Sequence, residues 1–268
     1  MKKLIIIPTY NEKKNIVLLL KRIIKLYKSK FQILVIDDNS PDGTSEKVMK
    51  YIKKYKFIKI IKRKKKLGVG SAHKYGIKYA VKNKFKILIT MDADGTHDPS
   101  YVKKFLFYIQ KYDLITTNRF LNKKSLQEWP IFRRILTNLR HFIIKLFLGV
   151  PIDSSGAFRC YNLNKLKFRD ILKAKDNGYS FFWESMHIIY KKNYSIKEIP
   201  IYLPYRSFGS SKMKFKDIFS ALIYLIIIIN FKLTIYSFYV NLDNLDKKVF
   251  QSIFKVYELV KIKKYLNI

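Results

Sequence analysis

The chain has 268 residues, enough for one sizeable core with a modest appendage, and its 55 Lys and Arg against 19 Asp and Glu give a formal charge of +36. That charge draws it to phosphate-rich partners, namely nucleotides, anionic lipid surfaces or nucleic acid. Cys160 is the only cysteine, which excludes an intrachain disulfide and a cysteine-based metal site.

Leu4-Ile5-Ile6-Ile7 is too short for the apolar core of a signal peptide and meets Pro8, so it reads as a first strand. Apolar runs predict strands over 4–7, 32–36, 58–61, 85–91 and 114–117, alternating with helices over 15–27, 45–55, 71–81 and 99–110. Alternation of this kind predicts an α/β fold, a mainly parallel sheet with helices on both faces that binds ligands beyond the carboxyl ends of its strands. Past Arg119 a helix is expected over 131–148, an irregular stretch over 149–159 and a further helix over 181–192. Residues 218–231 are fourteen uncharged residues in a row, interrupted by Lys232 before 233–242 resumes. A span needs about 20 apolar residues, so this segment reads equally as a borderline transmembrane helix or an interfacial one. The tail 246–268 is amphipathic, with Phe250, Ile253, Phe254, Tyr257 and Val260 on one face. The expected organisation is a catalytic domain over 1–213 followed by membrane-associated hydrophobic and amphipathic helices over 214–268.

Polar residues gather at three strand ends: Pro8-Thr9-Tyr10-Asn11-Glu12, Asp37-Asp38-Asn39-Ser40 and Asp92-Ala93-Asp94. Residues two apart on a strand share a face, so Asp92 and Asp94 can converge on one hard divalent cation whose other ligands are water and a diphosphate. Asp-rich turns are common after strands, so the pair takes its weight from context. Tyr10 could then stack on a base while Glu12 and Asp38 accept hydrogen bonds. Gly68-Val69-Gly70-Ser71-Ala72-His73 is not a dinucleotide fingerprint, because His73 replaces the third glycine and the loop follows the third strand; no phosphate loop of the GxxxxGK[ST] type occurs.

These motifs, with Asp37 to Thr44, Leu67 to Gly70, Asp153-Ser154-Ser155-Gly156-Ala157-Phe158-Arg159 and Arg206 to Lys212, resemble family 2 glycosyltransferases. Within that family the chain is most similar to polyprenol-phosphate sugar transferases of the dolichol-phosphate mannosyltransferase type, over residues 4–212. The resemblance implies a GT-A fold, a nucleotide sugar bound with Mg or Mn, and transfer of the sugar to a lipid phosphate on the cytoplasmic face of a membrane. It places Pro8, Tyr10, Glu12, Ile36 and Asp38 at the nucleoside, Asp92, Ala93 and Asp94 at the diphosphate and metal, and Arg119, Arg133, Arg206 and Lys212 at phosphates. The chain departs from the pattern at Gly95-Thr96-His97, where Thr96 would have to supply any third metal-ligand oxygen.

The chemistry agrees with that assignment. Departure of a diphosphate strands negative charge, which a divalent ion and Arg119, Arg206 or Lys212 would stabilise. A phosphate acceptor, with a second pKa near ~6, is already a nucleophile at neutral pH and needs no base. The leading expectation is therefore an inverting, metal-dependent transfer of mannose from GDP-mannose to a polyprenyl phosphate, with the membrane surface as partner and no nucleic acid. A transferase acting on a saccharide hydroxyl would need a base, for which Glu184 and Asp153 are the candidates. A non-catalytic basic membrane- or nucleic-acid-binding protein is the third reading. His73 and His97 are expected to be polar loop residues, Lys62 to Lys66 a solvated loop, Arg133 beside Arg134 as readily a solvated helix residue as a phosphate contact, and Phe181, Phe182 and Trp183 core.

Overall fold

The structure, a computed structural model, describes residues 1–204 together with Phe208, Leu225 and Ile226. Arg206, Lys212, the hydrophobic segment 218–242 apart from those two residues, and the amphipathic tail lie outside the described residues.

Seven strands form one sheet in the order β3-β2-β1-β4-β6-β5-β7. They are β1 (Lys3–Thr9), β2 (Gln32–Asp37), β3 (Ile58–Lys62), β4 (Ile87–Thr90), β5 (Leu114–Asn118), β6 (Arg159–Asn162) and β7 (Ile196–Pro200). Six run parallel, and β6 runs against its neighbours β4 and β5. The sheet is thus mixed, with one reversed strand, β6, that follows the irregular stretch over 149–159 and that no apolar run announces. Reversal brings the start of β6 to the same edge as the ends of the others, for Arg159 pairs with both Thr90 and Thr116.

Alternating side chains on buried strands dress both faces. Ile5, Ile7, Ile33, Val35, Ile87 and Ile89 join Ile16, Leu20 and Ile23 of α1 (Lys13–Tyr27) in one core. On the other face α3 (Val69–Lys82) comes so close that a methyl group on Gly76 would lie 2.6 Å from Ile6 and 3.2 Å from Ile36. The remaining helices are α2 (Thr44–Lys54), α4 (Val102–Tyr108) after a 3-10 turn at Pro99–Tyr101, α5 (Ile131–Leu148), α6 (Phe168–Ile171) and α7 (Ser180–Lys191). No helix of the described residues is long and apolar enough to cross a membrane.

Candidate active site

Two loops leave β1 and β2 side by side, since Thr9 pairs with Asp37. Asp37, fully buried, accepts hydrogen bonds from the Thr9 hydroxyl at 2.9 Å, from the Ser40 amide at 2.9 Å and from the Ser45 hydroxyl at 2.8 Å. Ser40 in turn accepts the Asn11 amide at 2.9 Å. Asn11 and Asn39 turn the chain with φ of 56° and 59°, a region asparagine enters more readily than most residues. This lacing fixes Tyr10 and Glu12. The Lys66 ammonium lies 4.3 Å from the centroid of the Tyr10 ring, and the Asn15 amide donates to Glu12. The Oδ1 atoms of Asn11 and Asn15 are buried with no hydrogen-bond partner among the described residues, the kind of orphaned acceptor that a polar ligand would satisfy. Pro8 and Ile36 are register partners beneath these loops.

Asp38 is more occupied than its motif suggests. Its Oδ2 accepts the amides of Leu67 and Gly68, each at 3.1 Å, and it pairs with Arg63. Arg63 also donates to the Ser71 hydroxyl and the Gly68 carbonyl, at 2.8 and 3.1 Å. The pair therefore clamps the loop after β3 to the loop after β2, and Arg63, only 8% exposed, is no part of a solvated basic run.

At the end of β4, Ala93 is buried while Asp92 and Asp94 are partly exposed. Gly95, at φ 86°, turns the chain back so that Thr96 donates its amide at 3.1 Å and its hydroxyl at 2.7 Å to Asp94 Oδ1. The second oxygen of Asp94 accepts no hydrogen bond among the described residues. That leaves Thr96 spoken for as a donor, while the second oxygen of Asp94 stays open as the kind of hard oxygen a divalent ion needs. Among the described residues no cluster of three His, Cys, Asp or Glu could hold a metal, so an ion here would complete its shell with water and ligand oxygens.

His97 supports this turn from below. It is 6% exposed, stacks on Phe158 with ring centroids 4.9 Å apart, and accepts the Asp92 amide on Nδ1 at 2.9 Å. Burial, only partly offset by Asp94, pushes its pKa down to about 4, so the imidazole is neutral. His73, 1% exposed on α3, lies between Phe181 and Phe182, and burial drives its pKa to about 3. His73 is a helix residue and His97 lies in the loop after β4, but both are buried in the core, where the aromatic side chains of α7 and of the Phe158 segment enclose them.

Across the sheet edge, Arg119 follows β5. Asp153 accepts from its Nε at 2.7 Å and from its amide at 3.2 Å, which leaves both Nη groups without a partner among the described residues. Arg119 and its neighbours hold the Asp153 carboxyl below the usual range despite burial. Arg140 of α5 donates to Ser155 at 2.9 Å; burial, then Arg119, lowers it to about 10, so it remains charged at neutral pH. Arg133 is exposed, and its guanidinium carbon lies 3.9 Å from the Trp129 ring centroid.

Three functional-looking residues escaped the sequence reading. Glu198 of β7 accepts the Asp153 amide at 3.1 Å and the Asn118 side chain at 2.7 Å, tying together the two turns that carry Arg119 and Asp153. Arg159, fully buried, donates to the carbonyls of Gly156, Ser154 and Phe182 and to the Ser185 hydroxyl. Arg140 is the third. No local motif marks Glu198 or Arg140, because each acts on residues distant in sequence; Arg159 closes the Asp153 to Arg159 motif, whose pattern does not reveal that its side chain is a buried brace. Of the base candidates, Asp153 is committed to Arg119, and Glu184 accepts the amides of Lys175 and Asp176 at 2.8 and 3.0 Å. Phe181, Phe182 and Trp183 are buried, as expected of core.

Comparison with known proteins fits this geometry. The family model described as glycosyl transferase family 2 matches residues 4–193. A polyprenol monophosphomannose synthase from Mycolicibacterium smegmatis is 30% identical over 222 residues, covering 82% of this chain and 83% of that protein. An undecaprenyl-phosphate mannosyltransferase from Micrococcus luteus is 28% identical, covering 80% of this chain and 88% of that protein. Glucosyl-3-phosphoglycerate synthase from Mycobacterium tuberculosis, solved with Mn2+, uridine diphosphate and phosphoglyceric acid, shares the fold at a TM-score of 0.59 and 15% identity, covering 84% of this chain and 76% of that one. The layout is thus the GT-A-like α/β fold with a mixed, mostly parallel sheet. With the acidic turn of β4 and the laced loops of β1 and β2 inside the matched span, the chain belongs to glycosyl transferase family 2 and is a glycosyltransferase.

Proposed function

We propose that the protein transfers mannose from GDP-mannose to a polyprenyl phosphate, with Mg or Mn, at the cytoplasmic face of a membrane. The observation that carries this reading is the pairing of two charge traps on one sheet edge: the open carboxylate of Asp94 after β4, and Arg119 after β5, pinned through Nε with its Nη groups left for phosphate. A divalent ion held by Asp92 and Asp94 would supply charge neutralisation at the departing diphosphate. The protein's own residues do the rest. Tyr10, Glu12 and the orphaned acceptors of Asn11 and Asn15 would seat the nucleoside. Arg119 would hold an acceptor or leaving-group phosphate in place.

In a single displacement, an oxygen of the acceptor phosphate bonds to the anomeric carbon as the bond from that carbon to the diphosphate breaks, which inverts configuration. The acceptor dianion has no proton to lose, and this agrees with a site whose nearest buried carboxylate, Asp153, is bound to an arginine and held at low pKa. A saccharide hydroxyl would require a free base; Asp153 has both oxygens engaged and Glu184 accepts two backbone amides on Oε2, which favours the phosphate acceptor. The two mannosyltransferase relatives support the same choice of acceptor and sugar.

The test is incubation of the full chain with radiolabelled GDP-mannose, Mg or Mn and polyprenyl phosphate. Label should enter the organic phase, and Asp94→Asn should reduce its rate by at least ~100-fold. Absence of organic-phase label with any common nucleotide sugar overturns the proposal.

A further inference from the structure

Helix α5 wears its apolar side outward. Its buried residues are Thr137, Ile144 and Leu148, whereas Ile131 is 72% exposed, Phe132 63% and Phe142 59%, with Ile135, Leu139 and Leu146 each at least half exposed. At about 100° per residue, those six exposed side chains fall within one arc of about 100°, directly opposite the buried three. An amphipathic helix packed on a soluble core shows the reverse arrangement. A continuous apolar patch facing away from the protein marks a surface made to meet something else.

Charge identifies the partner. The helix contains no acidic residue; Arg134 and Lys145, both exposed, border the apolar arc on one side, while Arg133 and Arg140 sit well past its other edge, near the buried face. Apolar residues flanked by cations suit the boundary between acyl chains and anionic headgroups, into which such a helix sinks by about 5–10 Å. We infer that α5 is an interfacial helix that docks the protein on an anionic lipid surface. The same helix reaches the site: Arg140 donates to Ser155, and His141 stacks on Phe120, next to Arg119, with ring centroids 4.0 Å apart. Docking through α5 would therefore bring the Arg119 edge to headgroup level, where a lipid phosphate lies. This deepens the proposed function by assigning the surface that meets the acceptor's membrane, and it is independent of the hydrophobic segment 218–242.

The single cysteine makes a direct test practical. Cys160 is fully buried and its thiol pKa is pushed up by burial, so a cysteine introduced on the surface can be labelled selectively. In the full chain, Phe142→Cys is labelled with an environment-sensitive fluorophore, with Phe107→Cys, at a site 72% exposed on α4, as control. Vesicles of phosphatidylcholine with phosphatidylglycerol should shift emission at position 142 to the blue, and lipids spin-labelled high on the acyl chain should quench it. Position 107 should show neither effect. Arg134→Glu with Lys145→Glu should weaken partitioning by at least about 5-fold for each charge removed. A dye at 142 that is already blue-shifted without lipid overturns the inference, because another part of the chain or a second copy then covers α5. Sedimentation with vesicles while the dye at 142 stays wet overturns it too, as does equal partitioning into pure phosphatidylcholine. Because the vesicles contain no polyprenyl phosphate, the result is separable from the test of the acceptor.

Discussion

Arg119 owes its orientation to a chain of acceptors rather than to its own loop. Asp153 binds its Nε and amide, and Glu198 binds the Asp153 amide and the neighbouring Asn118. Asp153→Asn keeps an acceptor oxygen but removes the charge that opposes a guanidinium whose side chain is only 10% exposed. The expected outcome is a fall in kcat of about 100-fold with little change in KM for the nucleotide sugar, because the loss concerns charge that develops as the diphosphate leaves. Steady-state kinetics with the donor varied at saturating acceptor would decide it; a change confined to KM would place Asp153 on the ground-state binding side instead. Glu198 bears on the same question. Its carboxyl pKa is raised, by burial first, and its structural work is done by oxygen atoms as acceptors, so Glu198→Gln should retain most activity where Glu198→Ala does not.

At the level of elements, the two glycines at the start of α3, Gly68 just before it and Gly70 in its first turn, have a packing cause. A methyl group on Gly70 would lie 2.6 Å from the Cβ of Phe181 and 2.7 Å from the carbonyl of Gly178, and one on Gly68, at φ 93°, would collide with the Asn177 carbonyl. The loop and the start of α3 are thus pressed against the turn that leads into α7, with the Ser71 amide donating to Asn177 at 3.0 Å. Gly70→Ala should cost about 1–3 kcal/mol, read as a fall in Tm of about 2–4 °C per kcal/mol, with no change in donor affinity. A variant that melts like the parent would show that the contact relaxes freely. Strands β1 to β5 were legible because buried parallel strands are written as continuous apolar runs. Strands β6 (Arg-Cys-Tyr-Asn) and β7 (Ile-Lys-Glu-Ile-Pro) were not, because polar and charged residues break up their apolar ones and they are specified by partners on β4 and β5 far away in sequence. The acidic pair and the cation after β5 were equally legible, since strand ends announce the site edge. Arg140 and Glu198 were hidden, because a residue in mid-helix or on an edge strand carries no local sign of the loop it supports. The exposed arc of α5 could be seen as a periodicity, yet only burial reveals which way it faces.

For the whole molecule, two histidines folded into the interior as neutral groups set an acid limit on stability. His73 has its pKa lowered by burial from 6.5 to about 3, with nearby Arg159 adding to the effect, and its Nε2 has no hydrogen-bond partner among the described residues. Below pH 6.5 the unfolded chain takes up a proton at this position and the folded chain does not until the pH nears 3. Its contribution to stability is therefore complete above pH 6.5 and falls by about 1.4 kcal/mol per pH unit across that window. Between pH 7 and pH 4.5 the loss from this one residue amounts to about 2–3 kcal/mol. The depressed carboxyl of Asp153 has the same sign at lower pH, since its stabilisation disappears as the pH drops through its folded pKa. A net charge of +36 sharpens the effect, because each carboxylate neutralised by acid leaves more unbalanced positive charge on the compact state. His73→Leu keeps an apolar contact with Phe181 and Phe182 and removes the titration. Denaturant melts at pH 7 and pH 4.5 should then show a loss of stability between the two conditions that is smaller in the variant by about 2–3 kcal/mol. If parent and variant lose the same amount, protonation of the unfolded chain at His73 is not what limits the fold in acid.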